Sequence, residues 1–427
     1  MTGAEVLDVD LGPADADIVD PDTYVQGVPH ATFRRMRTEQ PVAWCAEHDG
    51  GRGFWAVTRY ADLLTVSRDV ETFSSAQGIR LEEMSPEETE ARRTMMELDP
   101  PEHTRYRRLV SKPFSRREVY AYEQAIRLLA RAVVEDALTE TRFDFVERIA
   151  KQLPMRMLGR LLGVPDADGD WLVERGDALL GNTDPEFTEH PVGLVDTDEF
   201  RLLPFRSPAG LELFHYAQDQ ARFRREHPTD DVISDLLRPM VDGELLSDHE
   251  FNNFFTLLVA AGNDTTRYTM TAGIKALIEH PDQLAELRDS VGRDPQVMER
   301  AVEEILRWGT VTMHFRRTAT RETMLADQRI AAGDKVVIWF VSADFDEEQF
   351  PEPYRFDIHR WPNEHVAFGR MSPHLCLGAQ LARMEIKVLF EELLPRLAGI
   401  RQAGPAERLR SNFIAGIKRL PVEVSPS

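Results

Sequence analysis

"HVAFGRMSPHLCLGAQLAR", residues 365–383, sets one of the chain's two cysteines, Cys376, two residues after His374 and two before Gly378. The preceding "GRMSPH" is rich in turn formers. The following "LGAQLARMEIKVLFEELLPRL" places Leu381, Leu389, Phe390 and Leu393 with the spacing of an amphipathic helix, expected to start near Cys376. A helix N-terminus offers unpaired N–H groups and the positive end of a dipole, and both favour thiolate over thiol. A catalytic nucleophile would need a base beside it, for which His374 is a candidate, whereas a metal or haem ligand needs only the stabilised sulfur.

Two cysteines, Cys45 and Cys376, make no disulfide framework. The N-terminus, "MTGAEVLDVDLGPADADIVDPDTY", lacks the basic start and apolar run of a signal peptide, and "FFTLLVAA" (254–261) is too short to span a bilayer. A cytoplasmic protein without a membrane anchor is expected. The 427 residues contain no linker, low-complexity tract or repeat, so a single domain over 1–427 is expected, with an irregular segment at 1–25. The balance of 51 Lys+Arg against 73 Asp+Glu, a formal charge of −22, disfavours nucleic acid or an anionic membrane as partner. Against that background the acid-free run "RYRRLVSKPFSRR" (105–117) stands out.

Periodicity gives a mainly α chain with a minor β component. "GFWAVTRY" (53–60) and "KVVIWFV" (335–341) have the β-branched and aromatic content of strands. The longest helix is expected from Ser247 to His280, begun by a capping box of Ser247 with Glu250 and stopped by Pro281. At ~1.5 Å per residue it is roughly 50 Å long and is expected to be central and buried. Inside it lies "AAGNDTTR" (260–267), a poor helix sequence: Gly262 costs about 1 kcal/mol relative to Ala, and the four polar residues after it compete for backbone hydrogen bonds. Such a segment suits an opening in which Ala261 and Gly262 make room for a ligand while Asp264 and Thr265 handle protons. A further helix, "DPQVMERAVEEILRW" (294–308), is capped by Asp294, starts at Pro295, and carries Glu304 and Arg307 three apart on one face.

Six segments taken in order, "DPPEHTRYRR" (99–108), "AGNDTT" (261–266), "EILR" (304–307), "FRRTAT" (315–320), "PYRF" (353–356) and "HLCLG" (374–378), resemble the motifs of the bacterial cytochrome P-450 haem-thiolate monooxygenases over nearly the whole chain. The resemblance implies that family's fold, with haem b between a long central helix and the cysteine-ligand loop. It implies Cys376 as the axial ligand to haem iron, and His374, Arg317, His103 and Arg107 as donors to the haem propionates. Ala261 and Gly262 would lie over the haem, with Asp264 and Thr265 as the acid and alcohol that deliver protons to bound dioxygen. Glu304 and Arg307 would form a structural trio with Arg355. One departure is visible: Phe368 stands eight residues before the cysteine, one more than the family pattern, and Ser372 occupies its glycine position.

The implied activity is hydroxylation, one atom of dioxygen entering a C–H bond and the other leaving as water. Electrons would come from a ferredoxin and ferredoxin reductase, docking on Arg108, Lys112, Arg116 and Arg117 of the basic run. The apolar runs that hold Met95, Met96, Val311, Met313 and Ile414 are expected to line the pocket of a lipid-like substrate of the terpenoid, sterol or fatty acid class. Alternatives are a peroxide-using relative, a haem-binding sensor or carrier on the same fold, and a zinc or nucleophilic-cysteine enzyme built on His374 and Cys376.

Overall fold

"GFWAVTRY" forms a strand only over Phe54–Val57, because the Tyr60 amide donates to Asp346 Oδ2 at 2.8 Å and opens the helix Tyr60–Arg68. "KVVIWFV" likewise is strand over Lys335–Trp339 and then turns into the short helix Phe340–Ala343. An unbroken apolar run is buried in either conformation, so its composition does not mark the change. The computed structural model describes residues 9–48 and 51–426, and the chain divides into two compact units. The first comprises the chain up to Glu83, Tyr268–Cys376 and the part from Leu394 onward; the second comprises Met84–Arg267 and Leu377–Leu393.

The first unit is built on a five-stranded sheet in the order Val42–Cys45, Phe54–Val57, Lys335–Trp339, His314–Ala319, Phe73–Ser74. Lys335–Trp339 runs parallel to Phe54–Val57, with Ala56 opposite Val337, and antiparallel to His314–Ala319, with Arg317 opposite Val336. Alternation along the central strand separates two apolar clusters. Val336 and Ile338 pack with Val57, Leu63 and Phe340, while Val337 and Trp339 pack with Phe33, Phe54 and Met313. Helix Pro295–Gly309 belongs to this unit and begins as its sequence requires, the Gln296 amide donating to Asp294 Oδ1 at 3.0 Å. Of the segment expected to be irregular, residues 1–8 lie outside the described residues, and Pro21–Val25 is a short 3-10 helix capped by Asp20.

The second unit is chiefly helical. Arg116–Ala137 packs along Ala379–Leu393, and Arg127 reaches Glu391 at 2.6 Å and Glu392 at 3.1 Å between them. Gln152–Leu162, Gly169–Leu180 and Pro208–Glu226 follow in the chain. The long helix spans Asp248–Glu279, with the Ser247 amide on Glu250 Oε2 at 2.7 Å and the Glu250 amide on Ser247 Oγ at 3.2 Å. The capping box therefore sets its start as read. Residues through Arg267 count with the second unit and those from Tyr268 with the first. No helix among the described residues is long and apolar enough to cross a membrane.

Candidate active site

The cysteine loop makes its turn without a glycine at position 372. Left-handed backbone falls on Gly369 (φ +73°) and on Met371 (φ +54°), and Ser372 instead accepts the His374 amide on Oγ at 3.2 Å. The Cys376 amide donates to the Phe368 carbonyl at 2.9 Å, closing the loop and leaving Cys376 exposed. The following helix begins at Ala379, three residues beyond the cysteine and later than expected. Among the described residues no group of three or more His, Cys, Asp or Glu side chains is arranged to hold a metal ion, which counts against the zinc reading.

The polar stretch of the long helix is continuous helix, and its residues face different surroundings. Ala261 is exposed and Thr265 half-buried in an otherwise largely buried helix, and Thr265 Oγ1 donates to the Ala261 carbonyl at 2.9 Å. Gly262 has a packing role: an added Cβ would stand 2.9 Å from Leu158 Cδ2, so the missing side chain lets Gln152–Leu162 approach. Asp264 is fully buried. Its Oδ1 accepts from Asn263 Nδ2 at 2.8 Å and faces Arg267 Nη2 at 3.1 Å, while Oδ2 meets no donor. Burial is the main force raising its pKa to about 7; Arg267 opposes this, the Asp177 carboxyl within hydrogen-bonding reach reinforces it, and Lys151 opposes it weakly.

The remaining residues singled out in the sequence fall into both units. In the first, His374 is buried with Nε2 3.3 Å from Ser75 Oγ, and Arg317 is buried on His314–Ala319. In the second, His103 is buried and Arg107 half-buried, four apart on Glu102–Val110. Val311, Met313 and Ile414 are buried and brought together by main-chain bonds, Met313 N to Phe413 O at 2.9 Å and Ala415 N to Val311 O at 2.8 Å. Met95 is buried and Met96 half-buried on a 3-10 turn of the second unit. Arg108, Lys112, Arg116 and Arg117 are all exposed, while Arg105 is committed to Asp242 and Glu244 at 2.6 Å each.

The expected trio requires a correction. Glu304 and Arg307 do pair, through two bonds of 2.8 Å with both side chains fully buried. Arg355 is not the third member: half exposed, it pairs with Glu352 at 3.3 Å. Arg360 takes that place, its Nε 3.1 and 3.2 Å from the two Glu304 oxygens, and Asn363 Nδ2 adds a bond of 3.0 Å. Five residues of chain carry Arg360 past the turn that leaves Arg355 in solvent. The signal was a second arginine in "PYRFDIHR", which spacing alone could not rank above the first. Arg267 was also legible, three after Asp264 on the same helix. Asp177 and Lys151 carry no motif and emerge only with tertiary contact.

Residues 212–398 match the family model for Cytochrome P450. Across 424 residues the chain is 36% identical to the steroid C26-monooxygenase of Mycobacterium tuberculosis, covering 96% of this chain and 93% of that protein. It is 36% identical over 426 residues to the methyl-branched lipid omega-hydroxylase of the same organism, covering 98% and 95%. A Mycobacterium marinum cytochrome P450 solved in complex with pseudoionone superposes with a TM-score of 0.84 at 38% identity, over 92% of this chain and 94% of that one.

Proposed function

The chain belongs to the cytochrome P450 family of haem-dependent monooxygenases, and on that premise we propose that it hydroxylates an apolar, branched lipid of the steroid or methyl-branched class, drawing electrons from a ferredoxin and its reductase. The observation that carries the substrate class is the naming of two relatives, each 36% identical over almost the whole chain, for a steroid and for a methyl-branched lipid. The paired apolar stretches holding Val311, Met313 and Ile414 support it, since they offer the substrate no charge.

The residues fit haem b. The Cys376 sulfur belongs to an exposed residue at the end of a closed loop, and the space where a Cβ of residue 378 would stand is open, which leaves room beside the sulfur for a flat group. His374, Arg317, His103 and Arg107 are imidazole and guanidinium donors of the kind that hold carboxylates such as the propionates. When bound through a thiolate, haem supplies the reductive activation of dioxygen, with one oxygen atom passing to carbon and the other to water. The chain's own part is positional and protic. Asp264 offers a buried carboxyl whose affinity for a proton is raised by burial, Thr265 offers a hydroxyl on the exposed side of its helix, and the apolar side chains orient substrate and exclude water. That acid and alcohol favour monooxygenation over the peroxide-using alternative, which has no need of proton delivery to dioxygen.

The test is a titration of the ferric protein with a steroid, a methyl-branched fatty acid and a linear isoprenoid, followed by turnover with ferredoxin, reductase and dioxygen. A low-to-high-spin shift and a product carrying one added oxygen atom are expected with the steroid or the branched acid. Shifts only with polar aromatic compounds would remove the lipid reading. Lys112→Glu combined with Arg116→Glu should raise the ferredoxin KM and flatten its salt dependence with the spin shift intact; unchanged kinetics across a salt series would return this run to an ordinary solvated face.

A further inference from the structure

One residue of the first unit binds both the buried Glu304 cluster and the cysteine loop. Asp344 is fully buried, and its main-chain carbonyl accepts Arg307 Nη1 at 2.8 Å. Its side chain reaches the other way, Oδ1 accepting the Val366 amide at 2.7 Å. The Val366 carbonyl accepts the Gly369 amide at 2.8 Å, and within that turn the Phe368 carbonyl accepts the Cys376 amide at 2.9 Å. Asp344 therefore fixes the entry to the loop that carries the sulfur.

Its second oxygen faces a hydroxyl that is already engaged. Asp344 Oδ2 stands 2.8 Å from Thr310 Oγ1, and the same Oγ1 stands 2.5 Å from the Arg307 carbonyl. A hydroxyl carries one proton, and a carbonyl oxygen only accepts. With Asp344 ionised, two acceptors compete for that proton and one of the short contacts sets lone pair against lone pair. With a proton on Oδ2, both contacts are hydrogen bonds: Asp344 donates to Thr310, and Thr310 donates to the nearer Arg307 carbonyl. Burial favours the same state, raising the Asp344 pKa to about 6 against the opposing pull of His365, the Val366 amide, Thr310 and Arg307.

We propose that Asp344 is a positioning residue for Cys376 that donates a proton from Oδ2 to Thr310, so that one line of hydrogen bonds runs from the end of helix Pro295–Gly309 through Asp344 to the loop holding the sulfur. The charged and titratable groups that face Asp344 are Arg307 from that helix, His365 from the segment entering the loop, and Tyr60 from helix Tyr60–Arg68. On its own segment, Asp346 is taken by the Tyr60 amide. His365 pairs through Nε2 with Glu303 at 2.9 Å and accepts the Ala367 amide on Nδ1 at 3.3 Å, so neither ring nitrogen is left to bond Asp344. When Asp344 ionises, the single Thr310 proton serves one acceptor and the line is broken at the other.

The proposal rests on Cys376 as the haem ligand. The experiment follows the infrared carbonyl band of the buried, protonated carboxyl in the resting, haem-loaded protein as pH is varied from 5 to 8, the band being assigned by its loss in Asp344→Asn. Thr310→Val should lower the midpoint by about one pH unit, a tenfold loss of proton affinity, because the protonated acid has lost its acceptor. A hydroxyl that instead donates to the carboxylate gives the opposite sign, so a raised or unmoved midpoint overturns the proposal, as does the absence at pH 5 of any band lost in Asp344→Asn. The tie to the sulfur is read in the reduced, carbon monoxide-bound protein. Asp344→Asn, whose amide can donate to Thr310 and whose oxygen can accept from Val366, should keep the thiolate-type band, whereas Asp344→Leu, similar in size and without either bond, should lose about half of it or more; equal spectra overturn the positioning role. Should Thr310→Val fail to fold, the denaturant stability of Asp344→Asn decides: equal to wild type at pH 5 and greater at pH 8 supports the proposal, because the wild-type acid loses stability as pH rises through its folded pKa, and any other pattern ends it. Cys376→Ser tests the premise separately. A thiolate-type band that survives it removes Cys376 as ligand, while the infrared midpoints still report on Asp344 and Thr310.

Discussion

Two helices each carry a buried acid followed three residues later by an arginine: Glu304 and Arg307 in the first unit, Asp264 and Arg267 in the second. The spacing is the same and both acids are fully buried. Their surroundings differ. Glu304 receives Arg307 through two bonds, Arg360 on both oxygens, Asn363 and the amide of Asp357, so four residues donate to one carboxylate. Arg307 is completed in turn by the carbonyls of Asp344 and Pro353 at 2.8 and 3.0 Å. Asp264 shares one arginine with a second carboxylate and leaves an oxygen without a donor. A buried carboxylate with donors on both oxygens is held in its ionised form, whereas one short of donors favours its protonated form. The first cluster is built to hold the fold; the second is the one to which the proposed function gives the handling of protons.

The largest effect that tests this contrast is at Glu304. Glu304→Ala strands two guanidinium groups in the interior and should cost about 3–5 kcal/mol in denaturant unfolding, with little holoprotein recovered. A cost under about 1 kcal/mol would mean that the cluster does not hold the fold. Asp264→Asn should act in the opposite sense on stability, and through pH. A carboxyl whose folded pKa is raised from 3.8 to about 7 binds more protons folded than unfolded, so wild-type stability falls as pH climbs through that window and levels off above it. Asp344, raised to about 6 mainly by burial, adds to the same fall in both proteins and cancels in the difference. The stability of Asp264→Asn relative to wild type should therefore improve by a few kcal/mol between pH 4 and 8, at ~1.4 kcal/mol per unit of pKa shift. A pH-independent difference would place Asp264 among fully paired carboxylates and erase the contrast.

A smaller effect is expected at Gly262. Gly262→Ala sets a Cβ against Leu158 and should cost about 1 kcal/mol net, overpacking exceeding the gain in helix propensity. Leu158→Val in the same chain should recover most of that cost; failure to do so would locate the requirement for glycine elsewhere. The smallest effect is at Arg355, where Arg355→Ala should change stability by about 0.5 kcal/mol or less, because its pair with Glu352 is half in water. Arg360→Ala should cost several times more, since it uncovers Glu304. Equal costs at 355 and 360 would undo the reassignment.

Much of the fold was legible because it depends on short-range rules. Ser247 with Glu250, Asp294 with Pro295, and Pro281 set helix ends where local hydrogen bonding demands them. The ends of the two strand readings were misplaced, since Tyr60 is capped by Asp346, hundreds of residues away in the chain. The loop before Cys376 shows the same limit: the chain announces that residue 372 is not glycine, and only the folded loop shows the left-handed turn passing to Met371.

Order and residue type along the chain determined the family and the pairing of Glu304 with Arg307, and singled out the cysteine, the acid and the alcohol as candidates, because each rests on neighbours within a turn or two of helix or on a motif read in sequence. Tertiary structure decided which arginine completes Glu304, what Gly262 packs against, and which second carboxylate competes with Asp264 for Arg267. Those outcomes turn on differences of half an ångström among side chains brought from separate stretches of chain, where burial strengthens every charge and a contact of 2.6 Å outcompetes one of 3.1 Å for the same guanidinium.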